Sequence, residues 1–226
     1  MIETLNYIGG KWAPSESGRT GTRENPACIS EVVARFQLST PDVPEALGEM
    51  DRSLANMYFT AGQGTRLYGR GIPSASGDTL IFTQRVPLGV TAIITPWNFP
   101  FAIPAWKTSH ALVCGNTLVF KPSSLTPLCA QLLVQCYEQA GIPAGAINLV
   151  TGSGDSVGAA LASDERVKGI SFTGSNAVGR WLYAEAAKHL CHVPFGGLKA
   201  SGLGEKECGP AAMDFFSEEQ IVYVRA

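Results

Sequence analysis

Val90-Thr91-Ala92-Ile93-Ile94-Thr95 is an apolar, β-branched run without alternating polar side chains. Such a run is typical of a strand that is buried on both faces, as in a parallel sheet covered by helices. A helix is predicted next over Ala102–Val113, and it should end at Gly115, because glycine adopts the left-handed conformation that terminates helices. A strand followed by a crossover helix is the repeating unit of an α/β fold.

The same unit recurs three more times along the chain. Further strands are predicted at residues 117–120, 146–150 and 167–172, and helices at residues 127–140, 156–163 and 176–190. Thr126 and Pro127 mark the start of the first of these helices as N-cap and first helical residue. Four strands joined by crossover helices predict an α/β fold with a doubly wound, parallel, Rossmann-like sheet and helices on both faces.

The flanking segments predict a small β annex and one further helix. Short strands are expected at residues 5–8, 11–13 and 31–36, and a final strand at residues 219–224. Pro44 is expected to open a helix whose apolar face comprises Leu47, Met50, Leu54, Met57, Tyr58 and Ala61. The division expected is residues 1–193 as a dinucleotide-binding domain, with a strand entering at about residue 81, and residues 194–226 as a glycine-rich segment with an oligomerisation-type strand.

Composition narrows the class of protein. The chain has 226 residues, 45% of them hydrophobic, and a formal net charge of −2, with no basic cluster to attract nucleic acid. No signal-like N-terminus or membrane-spanning apolar run is present, and the six cysteines have no zinc-finger or disulfide-framework spacing. We therefore expect a cytoplasmic protein that binds neither nucleic acid nor membrane.

Polar loops follow all four predicted strands, and in a parallel sheet those loops meet at one edge, where ligands bind. These loops are Thr95-Pro96-Trp97-Asn98-Phe99-Pro100, Lys121-Pro122-Ser123-Ser124, Thr151-Gly152-Ser153-Gly154 and Thr173-Gly174-Ser175-Asn176.

Each loop has an ordinary structural explanation beside the functional one. Gly174 and Ser175 open a helix whose N-terminus suits a phosphate, or Ser175 is a simple N-cap. The Lys121 ammonium can reach a ribose or phosphate, or it is a solvated strand-end lysine. The Asn98 amide can donate to an oxyanion, or it stabilises its own turn. The P-loop motif fails, since Arg180 and Trp181 replace its Lys and Ser/Thr, and the glycines at 152, 154 and 158 are spaced one residue too far for the dinucleotide fingerprint.

Taken in order, these motifs resemble the aldehyde dehydrogenase superfamily over nearly the whole chain. The matching segments are residues 95–100, Lys121-Pro122-Ser123-Ser124, Phe172-Thr173-Gly174-Ser175 with Val178-Gly179, and Pro194-Phe195-Gly196-Gly197-x-Lys199-x-Ser201-Gly202-x-Gly204.

The resemblance implies a role for each matched residue. Lys121 would bind the adenosine ribose, Ser175 the pyrophosphate, Gly154 and Val178 would border the adenine, and Asn98 would donate to the oxyanion. The full set of cofactor-binding residues it implies is Ile94, Thr95, Pro96, Trp97, Lys121, Ser123, Ser124, Gly154, Phe172, Thr173, Gly174, Ser175 and Val178. Ser124 falls where NAD-preferring relatives carry a glutamate, so the expected cofactor is NADP, or NADP and NAD alike.

The same resemblance implies that the catalytic domain is missing. The family's reaction needs a nucleophilic cysteine and a general-base glutamate, and neither has a counterpart, because the chain passes directly from Leu190 to Pro194 and the glycine-rich segment. The leading interpretation is an NAD(P)-binding module that is inactive or impaired alone.

Two other interpretations stay open. One is an active dehydrogenase that uses Cys191, flanked by His189 and His192, or a partner chain that supplies the catalytic domain. The other is an interaction protein that pairs through its terminal strands with itself or with a full-length relative. The same His189, Cys191 and His192 lack a distant fourth ligand, so no metal site is predicted.

Overall fold

The computed structural model describes residues 5–14, 24–25, 28–32, 43–189 and 210–225. The strands are β1 (Asn6–Ile8), β2 (Lys11–Ala13), β3 (Glu24–Asn25), β4 (Cys28–Val32), β5 (Gly71–Ile72), β6 (Thr79–Pro87), β7 (Val90–Ile94), β8 (Thr117–Lys121), β9 (Ile147–Leu149), β10 (Val167–Phe172) and β11 (Ser217–Arg225). The α-helices are α1 (Val43–Gln63), α2 (Ala102–Val113), α3 (Pro127–Gln139), α4 (Ala159–Ser163), α5 (Asn176–Ala186) and α6 (Pro210–Phe215). Short 3-10 turns follow α1 and α5, and a π-helical turn, Gly154–Gly158, precedes α4.

The central sheet has six strands in the order β10-β7-β8-β9-β1-β2. Strands β10, β7, β8 and β9 are mutually parallel, and the antiparallel hairpin of β1 and β2 extends the sheet beyond β9. The chain moves outward from β7 through β8 to β9, and then returns to place β10 on the other side of β7. The strand order therefore reverses between β7 and β10, which is the position where open α/β sheets bind ligands.

Two apolar cores lie on opposite faces of this sheet. Ile93 packs with residues of α2 and α3 on one face, and its neighbours Ala92 and Ile94 pack with residues of α4 and α5 on the other. Because successive side chains of a strand point to opposite faces, the continuous apolar run of β7 fills both cores. The predicted fold class, a doubly wound parallel sheet with helices on both faces, is confirmed.

A separate three-stranded sheet has the order β11-β6-β5. Its strands β6 and β11 pair antiparallel along their whole length, from Ser217 opposite Pro87 to Arg225 opposite Thr79. The predicted annex is thus divided: the N-terminal hairpin belongs to the central sheet, whereas the C-terminal strand pairs with the strand predicted to enter at about residue 81.

The side chain of Asn116 connects the central sheet and the three-stranded sheet through hydrogen bonds. Its buried amide nitrogen donates to Ala111 O (3.1 Å) and to Phe216 O (2.7 Å), and its amide oxygen accepts from Gly89 N (3.0 Å). One side chain thereby ties the end of α2, the turn before β7 and the start of β11.

The predicted apolar face of α1 is only partly correct, since Met57 packs against the core. Leu47, Leu54 and Tyr58 are exposed, whereas Ser53 and Thr60 are fully buried. Both hydroxyls donate to backbone carbonyls one turn earlier, Ser53 to Glu49 O (2.7 Å) and Thr60 to Asn56 O (2.8 Å), and this satisfies them inside the helix interface. Two small polar residues therefore face the core together with Met57, whereas Leu47, Leu54 and Tyr58 face outward.

Two smaller expectations also differ from the structure. The strand expected at residues 31–36 is β4, which ends at Val32, and residues 33–36 lie outside the described ranges. The helix expected over 156–163 begins earlier, as the π-helical turn from Gly154, and α5 passes into a 3-10 turn before residue 190.

Candidate cofactor site

The carboxyl ends of the four parallel strands lie side by side. Thr95 N donates to Lys121 O (3.3 Å), Thr173 N donates to Ile94 O (3.0 Å), and Val150 N donates to Phe120 O (2.9 Å). These bonds continue the sheet beyond its last regular pairs, so the loops after β7, β8, β9 and β10 begin at the same level. The predicted residues from these loops therefore share one edge of the sheet.

The loop between β7 and α2 carries the most exposed of these side chains. Trp97 is 60% exposed, Asn98 is exposed, and Pro96 is half-buried. Within the described parts of the chain, the Asn98 amide has no hydrogen-bond partner, so the alternative of a turn asparagine that stabilises its own backbone is wrong for this structure. The amide is free to donate to a bound group.

Lys121 is the buried cation of the site. Its side chain is only 5% exposed, and its Nζ donates to Pro122 O (3.0 Å). Burial lowers the pKa of this ammonium below the ordinary lysine value, because desolvation disfavours the charged form. The alternative of a solvated strand-end lysine is thus wrong. An ammonium has three donors, and among the described residues only the Pro122 carbonyl accepts from it.

Ser123 and Ser124 continue from this lysine. Ser123 Oγ accepts from Leu125 N (3.2 Å), and Ser123 O accepts from Thr126 N (3.2 Å), so Ser123 shapes its own turn. Ser124 is exposed next to it.

In the turn after β10, Gly174 lies against a buried aromatic ring. A Cβ on Gly174 would lie 2.4 Å from Cζ of Phe172, whose ring is buried beneath the turn. Ser175 is the N-cap of α5, and its Oγ accepts from Val178 N (3.4 Å). The structural reading of Ser175 as an N-cap is therefore correct. The first-turn N-H groups of α5 that no capping group satisfies still point out of the helix, so the cap and a phosphate site are compatible.

In the loop after β9, a serine likewise caps the helical turn that follows. Ser153 Oγ accepts from Ser156 N (3.2 Å) and caps the π-helical turn that begins at Gly154. Gly154 is exposed, and Val178 is 46% exposed on the first turn of α5.

Sequence reasoning missed Glu49, which comes from α1. Its Oε1 accepts from both Phe101 N (2.9 Å) and Ala102 N (2.8 Å), the first amides of α2. Helix α2 has no side-chain cap of its own and no acidic residue in its first turn. The only available signal was an acid 52 residues away along the chain, which no local pattern connects to the loop of Asn98.

Two described thiols, Cys114 at the C-terminal end of α2 and Cys129 on the first turn of α3, are poor nucleophiles. Burial raises the pKa of Cys114 to about 11, and burial followed by the charge of Glu49 raises the pKa of Cys129. Cys136 is exposed near the C-terminal end of α3, which runs away from the carboxyl edge. Cys191 and His192, and the junction from Leu190 to Pro194, lie outside the described residues.

A profile of the aldehyde dehydrogenase family matches residues 37–193. The chain belongs to the aldehyde dehydrogenase family. The alpha-ketoglutaric semialdehyde dehydrogenase of Bacillus subtilis is 38% identical over 78% of the chain, and the NADP(+) succinate-semialdehyde dehydrogenase of Escherichia coli is 43% identical over 66% of it.

Solved aldehyde dehydrogenases share the fold. A point variant of betaine aldehyde dehydrogenase from Staphylococcus aureus, in complex with NAD+, superposes with a TM-score of 0.76 at 26% identity, over 84% of this chain and 49% of that one. The chain spans about half the length of such relatives, covering 47% of the Bacillus enzyme and 31% of the Escherichia enzyme. It is a shortened member of the family.

The residues present fit a dinucleotide. Lys121 is a buried cation with donors to spare, Gly174 carries no side chain at the turn after β10, and α5 presents its N-terminus at the same turn. A polyanion with ribose hydroxyls satisfies the first and third features together, whereas an apolar ligand satisfies neither.

No helix among the described residues is long and apolar enough to cross a membrane. Nor does the described part of the chain bring together three or more His, Cys, Asp or Glu side chains that could hold a metal ion.

Proposed function

We propose that this chain is an NAD(P)-binding module of the aldehyde dehydrogenase family that does not oxidise aldehydes by itself. The observation that carries the proposal is Lys121, a buried ammonium at the switch point of the sheet. Burying a cation is costly unless partners compensate it, and one backbone carbonyl compensates it only in part. A bound dinucleotide supplies the missing acceptors.

The residues that would hold the dinucleotide come from all four loops. Lys121 would bind the adenosine ribose, Ser175 and the α5 N-terminus the pyrophosphate, and Gly154 and Val178 would border the adenine. The remaining positions, Ile94 to Trp97, Ser123, Ser124 and residues 172–174, would form the walls. When bound, the cofactor would accept a hydride from an aldehyde-derived adduct, in the reaction for which the relatives are named.

NADP, or NADP and NAD alike, is the expected cofactor. Ser124 is exposed beside Lys121 and carries no charge, so it neither repels a 2'-phosphate nor occupies its space. A glutamate at this position would favour NAD by repelling that phosphate.

The described thiols support the proposal that the chain does not oxidise aldehydes by itself. Acyl transfer in this family requires a reactive cysteine next to the oxyanion amide, whereas Cys114 and Cys129 have raised pKa values and Cys136 lies near the C-terminal end of α3. Asn98 would supply only the oxyanion amide. No described residue takes the roles of nucleophile and general base.

Calorimetric titration of the purified chain with NADP and with NAD tests the proposal. Wild type should bind NADP at least as tightly as NAD, and Lys121→Met should weaken binding of both by about tenfold or more, since a charge-assisted hydrogen bond is lost. Lys168→Met is the matched control, because Lys168 is an exposed lysine near the opposite end of β10. Absence of heat at millimolar cofactor would refute the binding module.

Ser124→Glu tests the cofactor preference in the same titration. It should weaken NADP binding about tenfold or more relative to NAD, because a carboxylate faces the 2'-phosphate. Ser163→Glu adds the same charge at the end of α4, near the other edge of the sheet, and should leave the ratio unchanged.

An aldehyde assay on the same sample tests the inactivity. Steady reduction of the cofactor by the pure chain would refute it and favour a nucleophile outside the described residues, such as Cys191. Activity that appears only on mixing with a second chain would instead favour a partner that supplies the catalytic domain.

A further inference from the structure

The N-terminus of α2 is occupied by a side chain from another helix. Glu49 of α1 accepts two hydrogen bonds through one carboxylate oxygen, from Phe101 N at 2.9 Å and from Ala102 N at 2.8 Å. The following amides are satisfied within the turn, since Ile103 N donates to Phe99 O (3.3 Å) and Ala105 N to Phe101 O (2.9 Å). The backbone hydrogen bonds at the end of the 95–101 loop therefore run to Glu49 or stay within the first turn of the helix.

This helix end would otherwise attract anions. Helix N-termini carry a partial positive charge and free N-H groups, and the end of α2 lies directly after β7, at the switch point. Neither α2 nor α3 has an acidic residue in its first turn. The α5 N-terminus, in contrast, is capped by the neutral hydroxyl of Ser175. The site thus contains one helix end closed by an internal negative charge and one closed by a neutral group.

A second observation places the charge of Glu49 at the same edge. Burial is the larger cause of the raised pKa of Cys129, on the first turn of α3, and the charge of Glu49 is the second. The carboxylate therefore acts on the N-terminal ends of two neighbouring helices, α2 and α3.

We propose that Glu49 is a positioning and specificity-determining residue: its carboxylate holds the 95–101 loop and excludes the phosphates of the dinucleotide from α2, so that they bind at α5. At the N-terminus of α2, an incoming phosphate finds no free amide, and the negative charge of Glu49 repels it. Asn98 and Trp97, three and four residues before Phe101, are held because both the end of the loop and its start in β7 are fixed.

Two variants and a control separate charge from hydrogen bonding. Glu49→Gln keeps an oxygen acceptor and removes the charge, whereas Glu49→Ala removes both. Asp51→Asn is the matched control, because Asp51 is an exposed acid on the same helix with no recorded partner among the described residues. A residue that acts only as a hydrogen-bonding cap would be rescued fully by Glu49→Gln.

Amide hydrogen exchange tests whether Glu49 holds the end of the 95–101 loop. In Glu49→Ala, the amides of Phe101 and Ala102 should exchange about tenfold faster than in wild type, since a charge-assisted hydrogen bond protects them. Glu49→Gln should restore most of this protection, and Asp51→Asn should leave it unchanged. Unaltered protection of both amides in Glu49→Ala would overturn the positioning role.

Titration with inorganic phosphate at constant ionic strength tests whether Glu49 excludes phosphate from the N-terminus of α2. Phosphate should raise the thermal midpoint of Glu49→Ala most, because its helix end becomes available to the anion, and that of Glu49→Gln less, because the glutamine oxygen still covers the amides; wild type and Asp51→Asn should respond least. Alkylation of Cys129 should also accelerate in Glu49→Gln as a repelling charge is removed. An equal phosphate response in all four proteins would overturn the exclusion role.

Only the binding measurement rests on the proposed function. Both Glu49 variants should bind NADP about threefold to tenfold more weakly than Asp51→Asn, because phosphates can bind at the wrong helix end. Equal affinities in the three variants would overturn the specificity role. If wild type itself binds no dinucleotide, the proposed function fails, while the exchange and phosphate measurements still decide the role of Glu49.

Discussion

The Phe172 ring leaves no space for a side chain at Gly174. An added Cβ would lie 2.4 Å from Phe172 Cζ and 2.9 Å from Cε2, closer than real contacts allow. Gly174→Ala should therefore destabilise the fold by about 1–3 kcal/mol and weaken dinucleotide binding, because the turn after β10 must shift. Urea unfolding and cofactor titration measure the two effects.

Gly154→Ala is the matched control for this substitution, since a Cβ there meets nothing within 4 Å. Its free energy of unfolding should change by no more than about 0.5 kcal/mol. Equal stability of the two variants would show that the Phe172 ring moves freely and that Gly174 is not required for the shape of the turn.

His110 is fully buried between α1 and α2. Its Nδ1 lies 2.5 Å from Trp106 O and its Nε2 lies 3.2 Å from Thr60 Oγ1. Burial lowers the pKa of His110 below 6.5, an effect that outweighs the bond to the Trp106 carbonyl, so the imidazole is neutral in the folded chain.

Below the pKa that His110 has in the unfolded chain, the unfolded chain binds a proton and the folded chain does not. The free energy of unfolding is therefore unaffected by His110 above that pKa and decreases as the pH falls below it. Between about pH 7 and pH 5, His110→Gln should lose less stability than wild type. Parallel pH profiles for wild type and His110→Gln would contradict the assignment.

At the scale of elements, the central sheet could be predicted because its signals are local. The helix bounds Ala102–Val113 and the strand Val167–Phe172 agree with the sequence prediction, and the glycines that end α2 and α3, Gly115 and Gly141, have φ values of 86° and 82°. What could not be predicted depends on distant partners. Apolar spacing alone predicted the buried face of α1 only in part, because Ser53 and Thr60 satisfy their hydroxyls within the helix and can be buried.

The candidate site divides in the same way. Strand-end loops are found by counting strands, so the sequence could place Lys121, Asn98 and Ser175 at one edge. The burial of Lys121 and the bonds of Glu49 arise only when segments far apart in sequence meet. A motif identifies a residue, and only packing defines its charge environment.

The junction between the two sheets depends on the buried amide of Asn116. Asn116→Ala should lower the free energy of unfolding by about 3 kcal/mol, because Phe216 O and Gly89 N lose their partner in a buried interface. Thermal or urea unfolding measures the loss.

Gln84→Ala serves as the comparison, since Gln84 and Gln220 form an exposed side-chain bond between β6 and β11 (3.0 Å). Its stability should change by less than about 0.5 kcal/mol. Similar losses in both variants would contradict a special role for Asn116.

At the scale of the whole molecule, β11 forms one edge of its sheet and exposes apolar side chains. Ile221, Tyr223 and Val224 are 53%, 67% and 49% exposed. Edges of this kind pair with other chains unless charge or cover prevents it. We therefore expect the chain to associate with further copies at micromolar concentrations in sedimentation velocity experiments.

Tyr223→Lys should shift this association toward the monomer, because a charge would be buried in the contact. Gln220→Lys adds the same charge on the opposite face of β11 and should have the smaller effect. A wild-type chain that sediments as a monomer at every concentration would contradict self-association through this strand.

The N-terminal hairpin has a consequence for how the chain is synthesised. Tyr7 of β1 pairs with Leu149 of β9, and Asn6 Oδ1 accepts from Thr151 N and Oγ1, both at 2.9 Å and 145 residues away. Strand β1 is synthesised well before β9 and must therefore wait for the residues between them before it can pair. During that interval the edge of the nascent sheet stays open, so chaperone demand in the cell should depend on the speed of translation through residues 8–149.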